Sequence, residues 1–106
     1  MKESDPHTKL NHYLFQLSEL IKSPPTVLDY HDWKSNVDFV MQEIHDLSDR
    51  AYEELEDLVT QLKRLGEDHV FRIDADEPPD VISRSSELYF EQVSYLTSEM
   101  NRLKGV

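Results

Sequence analysis

The sequence predicts an all-α protein, a three-helix antiparallel hairpin whose central helix is very long and whose bundle is completed by dimerisation. Three observations predict it. Residues 26–65 contain no glycine and no proline. Within that stretch Trp33, Val37, Val40, Ile44, Leu47, Ala51, Leu55, Leu58, Leu62 and Leu65 recur at steps of three and four, the period of a helix with one apolar stripe. Proline pairs at 24–25 and 78–79 punctuate the chain on either side.

Helix 1 is expected over residues 6–22. Asp5 is a natural N-cap with Pro6 at the first helical position, where a missing N–H costs nothing. Leu10, Tyr13, Leu14, Leu17, Leu20 and Ile21 make one stripe, and Ser23-Pro24-Pro25 ends it. The long helix is expected over 27–65. Thr26 and Asp29 stand at its start in a variant of the capping box. Lys63, Arg64 and Gly66 form its expected end, cations in the last turn followed by a C′ glycine. His45–Arg50 is its weakest patch, but the stripe runs in phase across it, which favours one helix over two.

Residues 66–79 read as a loop. Its Val70-Phe71-Arg72-Ile73 is β-prone and is expected to tuck beneath the bundle, since a lone strand has nothing to pair with. Helix 3 is expected over 80–104 with Asp80 as N-cap. Ile82, Ser86, Tyr89, Val93, Leu96, Met100 and Leu103 form a heptad seam.

Lengths carry the assembly argument. At ~1.5 Å per residue the three helices measure about 26, 58 and 37 Å. The short helices would overlap beside the long one only near its middle. A layer two helices thick cannot bury a stripe from both members. A two-fold antiparallel dimer solves this, with Trp33, Val37, Ile44, Leu55, Leu58, Leu62, Tyr89 and Leu96 as self-association residues. The competing arrangement bends the long helix near Ser48 to give a compact four-helix monomer.

The 106 residues suit one domain. No apolar run approaches the ~18 residues of a membrane span, and the N-terminus lacks the apolar core of a secretory signal, so the cytoplasm is the expected location. With no cysteine, disulfides and thiolate metal sites are excluded. Net charge is −11, and residues 27–80 hold all of it while both flanks sum to zero. Such a field repels nucleic acid and anionic lipid and attracts basic proteins.

Chemistry is sparse. No two of the five histidines are spaced three or four apart, as a helical metal site requires. His45 and Asp49 read as a surface ion pair. Glycine occurs only at 66 and 105, too sparsely for a phosphate loop. Glu53-Glu54-x-Glu56-Asp57 resembles the Glu-x-x-Glu motif of all-α nucleotide pyrophosphohydrolases of the MazG type, a resemblance that implies a Mg²⁺ site. The matching Glu-x-x-Asp on a following helix is missing, since Glu77-x-x-Asp80 straddles the proline pair.

The expected function is therefore non-enzymatic, with no cofactor and no metal. An acidic face of Asp46, Asp49, Glu53, Glu56, Asp57 and Glu67 binds a basic protein, as an inhibitor, immunity protein, antitoxin or chaperone would. The alternatives are a structural homo-oligomer and, third, the Mg²⁺-dependent pyrophosphohydrolase.

Overall fold

The computed structural model describes residues 6–105, which are helical almost throughout, with no strand among them. Four helices follow one another: α1 (Pro6–Ile21), α2 (Tyr30–Leu47), α3 (Asp49–Asp74) and α4 (Pro79–Gly105). The expected Asp5 cap of α1 lies outside the described residues.

The expected long helix is two helices. Ser48 interrupts it with an extended backbone, φ −159° and ψ 107°, and the chain turns back on itself there. Ser48 serves both ends: its N–H donates to the Ile44 carbonyl, and its Oγ accepts from the Ala51 N–H at 3.1 Å. This is N-cap chemistry. An in-phase stripe holds for one continuous helix and for a hairpin folded about one residue alike, so the period could not reveal the break.

The expected end at Gly66 and the loop 66–79 are also corrected. Gly66 lies inside α3 and has no positive φ. A Cβ there would stand 2.9 Å from the Trp33 ring and 3.2 Å from Pro25 Cδ, so glycine serves a close helix approach. The stripe in fact continues through Leu62, Gly66, His69 and Ile73 at steps of 4, 3 and 4. The actual stop comes at Asp76, φ 57°. Asp76 N–H bonds the Ile73 carbonyl and Glu77 N–H the Arg72 carbonyl, the Schellman pattern with Asp in the left-handed position.

Two helix starts differ in detail. Thr26 N–H donates to the Asp29 carboxylate at 2.7 Å and Asp29 N–H to Thr26 Oγ1 at 3.2 Å. This reciprocal ring closes the turn before α2, which begins at Tyr30. α4 starts at Pro79, and the Pro78 carbonyl accepts from Val81 and Ile82. Asp80 thus sits in the first turn, not at the cap.

The helices pack up-down-up-down, each against the next, with α1 closing the ring against α4. Leu14, Leu17, Ile21, Val37, Ile44, Leu55, Leu62, Tyr89 and Leu96 are fully buried. Two aromatic side chains cap the end of α1, whose last carbonyls lack helical donors. Trp33 Nε1–H donates to Leu20 O at 3.0 Å, and Tyr89 O–H to Ile21 O at 2.8 Å. Burial pushes the Tyr89 hydroxyl far above its usual range.

α1 and α2 run out near the level of Gly66 and Tyr89. The α3–α4 turn extends beyond them as a two-helix arm, in a molecule measuring 55 × 24 × 20 Å. His69 and Ser85 join the arm's two helices, Nδ1 to Oγ at 2.7 Å.

Candidate functional site

The acidic residues expected to bind a partner occupy the outer surface around the α2–α3 corner and along α3. Asp46 ends α2, accepting a hydrogen bond from Gln42 at 3.0 Å. Asp49, Glu53, Glu56 and Asp57 lie on the first three turns of α3, all exposed. Glu67 follows three turns after Glu56, in phase with it and half-buried. The fold brings Asp49, Glu53, Glu56, Asp57 and Glu67 to one side of α3 because the core takes Ala51, Leu55, Val59, Leu62, Gly66 and His69 on the other, whereas Asp46, on α2, lines a groove against α1 with Lys9, His12 and Tyr13.

This surface is poorly neutralised. Among the described residues no cation pairs with Asp46, Glu53, Glu56, Asp57 or Glu67, while Asp49 meets only the His45 ring at 3.3 Å. Arg50, which would face Asp46 in a continuous helix, is carried away by the break at Ser48 and pairs with Glu54. Lys63 is taken by Asp38 at 2.6 Å across the α2–α3 seam. Arg64 alone interrupts the stripe with a positive charge. Glu56 accepts from the Tyr52 hydroxyl at 3.3 Å.

The stripe ends in apolar surface. Glu67 and Phe71, one turn apart, line a notch with Val27, Tyr30, His31 and Val70 at the root of the arm. Phe71 is 64% exposed, and nearby in the turn before α2 Leu28 is 98% exposed. Burial, and then the Glu67 carboxylate, hold the Tyr30 hydroxyl above its usual range. The expectation that Val70, Phe71 and Ile73 tuck beneath the bundle fails: the segment is helical, and Phe71 and Ile73 face solvent. Sequence reasoning missed this notch because Gly66 was read as a stop. The in-phase His69 and Ile73 beyond it carried the opposite signal.

The residues expected to self-associate sit inside one chain. Trp33, Val37, Ile44, Leu55, Leu62, Tyr89 and Leu96 are buried in the four-helix core, and Leu58 is partly buried against it. A second apolar groove, lined by Phe15, Leu20, Phe39 and Val40, opens between α1 and α2, with Phe15 and Phe39 more than half exposed.

The residues do not fit the divalent metal that the pyrophosphohydrolase resemblance implies. Glu54 is engaged by Arg102 and Arg50, and Arg102 also binds Glu99. No group of three or more metal-binding side chains converges among the described residues. His69 and Ser85 do not form a nucleophilic pair either. The Ser85 hydroxyl donates to the Ile82 carbonyl at 2.8 Å, which leaves it to accept from His69 Nδ1–H, and both side chains are buried. Burial lowers the His69 pKa, and the neighbouring Asp68 charge opposes that shift.

No helix among the described residues is long and apolar enough to cross a membrane. Comparison with protein-family models, with curated proteins and with solved structures finds no match.

Proposed function

We propose that this chain is a protein-interaction module that binds a basic partner along the outer face of α3, with the notch at Phe71 as the apolar end of the contact. The single observation that supports the reading is that α3 carries on one outer face both the unpaired carboxylates Glu53, Glu56 and Asp57 and, beyond Arg64, Glu67 beside the exposed Phe71. Like charges at i, i+4, as in Asp49–Glu53 and Glu53–Asp57, cost an isolated helix roughly a few tenths of a kcal/mol each. A cationic partner would relieve that repulsion, while apolar burial at Phe71 would add affinity less sensitive to salt. A helix carrying lysines or arginines along one face and an aliphatic residue near one end suits this arrangement. Such a contact would suit an inhibitor, an immunity protein, an antitoxin or a chaperone.

The test is capture from native lysate with wild-type protein, with the triple reversal Glu53→Lys, Glu56→Lys and Asp57→Lys, and with Phe71→Ala. The reading expects one basic protein, held stoichiometrically by wild type, lost at high salt and absent from the triple variant. Phe71→Ala should weaken its retention at every salt concentration. Equal capture by wild type and the triple variant would overturn it.

A second reading, a structural homo-oligomer, draws on the exposed Phe15–Phe39 groove. Self-association that is insensitive to salt and abolished by Phe39→Asp would favour it.

A further inference from the structure

We infer that the chain can exchange halves with a second copy: the α1–α2 hairpin of one molecule docks on the α3–α4 hairpin of the other, with Ser48 as the hinge. The inference stands apart from the binding of a basic partner and rests on the geometry around one residue.

The link between α2 and α3 is Ser48 alone. Two antiparallel helices are usually joined by two to five residues, and short hinges favour exchange because opening relieves them. The hydrogen-bond ladder is almost continuous across the corner. Ser48 N–H already bonds Ile44 O at 2.8 Å, and Tyr52 N–H bonds Ser48 O at 3.1 Å, both in α-helical register. Between them the N–H groups of 49–51 make no bond to the carbonyls of 45–47; Ser48 Oγ substitutes for one of these. Straightening the corner would form those three bonds and give up the cap and the stack of His45 on Tyr52.

The sequence is prepared for the straight form. Ile44, Leu47, Ala51 and Leu55 follow one another at steps of 3, 4 and 4, so α2 and α3 joined end to end would present one stripe on one face. In the closed chain α2 packs on α3 and α1 on α4. Two opened copies laid antiparallel recreate both interfaces twice, each between molecules. Trp33 would meet the second copy's α3 in place of its own, and the Lys63–Asp38 pair would cross between chains. No core contact is lost, so the exchange is governed by the hinge and by concentration. No new apolar surface is needed.

The corner also holds the closed form. His45 and Asp49 pair across the break, and the His45 ring stacks on Tyr52, centroids 4.2 Å apart. The stack and the Ser48 cap are what opening sacrifices, whereas His45 and Asp49, four residues apart, remain neighbours in a straight helix.

The chain has no cysteine, which allows a clean cross-linking test. A tagged full-length chain carrying Asp38→Cys is unfolded together with an untagged chain carrying Lys63→Cys. The pair is refolded at low and at high concentration and treated with a short bis-maleimide. The expected product is a mixed covalent dimer joined through positions 38 and 63, formed after refolding at high concentration. In parallel, light scattering on size-exclusion peaks should show dimer in wild type refolded the same way. Ser48→Ala, which removes the cap and favours continuous helix, should raise the dimer fraction several-fold. Insertion of four Gly/Ser residues after Ser48 should abolish it. Wild-type chain that is monomeric after refolding at every concentration would overturn the inference. So would a dimer of the mixed chains in which positions 38 and 63 do not cross-link.

Discussion

At the residue scale, several positions do work that their identity alone does not announce. Asp76 ends α3 in the left-handed region, where a side chain is disfavoured and glycine is not. Relief of the roughly 1–2 kcal/mol cost of that conformation, less the roughly 0.5–1 kcal/mol of chain entropy that glycine loses, means that Asp76→Gly should raise stability, read as a higher denaturant midpoint at unchanged slope. Gly66 behaves oppositely. Alanine there gains about 1 kcal/mol of helix propensity but drives a methyl into Trp33, whose ring is buried and tied to Leu20 O. Overpacking of that kind costs about 1–3 kcal/mol, so Gly66→Ala should destabilise by about 1 kcal/mol in a chemical denaturation curve. His69 couples stability to pH. Its pKa is lowered in the fold, so the unfolded chain binds the proton more readily. The contribution is fully present above the unfolded pKa of about 6.5 and is lost as pH falls through the lower folded value. Denaturation midpoints at pH 7.5 and 5.5 should therefore differ more for wild type than for His69→Gln, and equal differences would remove His69 from the account.

At the scale of elements, the corner at Ser48 and the arm beyond Gly66 set the architecture. A continuous helix from 27 to 65 would have spread the stripe over ~58 Å. Breaking it lets α2 fold back along α3 from Ser48 to Gly66, so α1 and α4 both find cover within one chain. The four-helix cross-section thereby buries the seam that a dimer was expected to bury. Only the arm beyond Phe71, where α3 and α4 pack on each other alone, keeps the two-helix thickness that leaves Ile73 in water. Truncating Ile73 to alanine should therefore cost well under the ~2–5 kcal/mol of a core truncation, whereas Leu62→Ala, fully buried, should cost within that range; thermal melts of the two variants give the comparison.

At the scale of the whole molecule, the charge of −11 is carried by residues 27–80, which hold α2 and α3. Self-repulsion of that field opposes the compact state and is screened by salt. Thermal midpoints should rise between 20 and 300 mM NaCl for wild type. The triple reversal at Glu53, Glu56 and Asp57, which cuts the net charge, should show a smaller rise while keeping a wild-type helical spectrum. An equal salt response in both would mean that the face is already neutralised.

The sequence by itself determined the helical class, the two proline-marked boundaries, and the residues of the stripe, because period and cap chemistry are local properties. Helix starts were legible from Thr26-Asp29 and Pro78-Pro79. The acidic excess in residues 27–80 was legible because charge needs no contact to be counted. Only the tertiary structure decided that Ser48 is a corner, that Gly66 is a packing site for Trp33, and that Phe71 lies beside Val27 at the end of the stripe. The physical reason is the same in each case. A stripe in phase fits a straight helix and a folded one alike, and a glycine fits a helix end and a tight crossing alike. What separates them is which distant side chain arrives, and that is a property of the packed molecule.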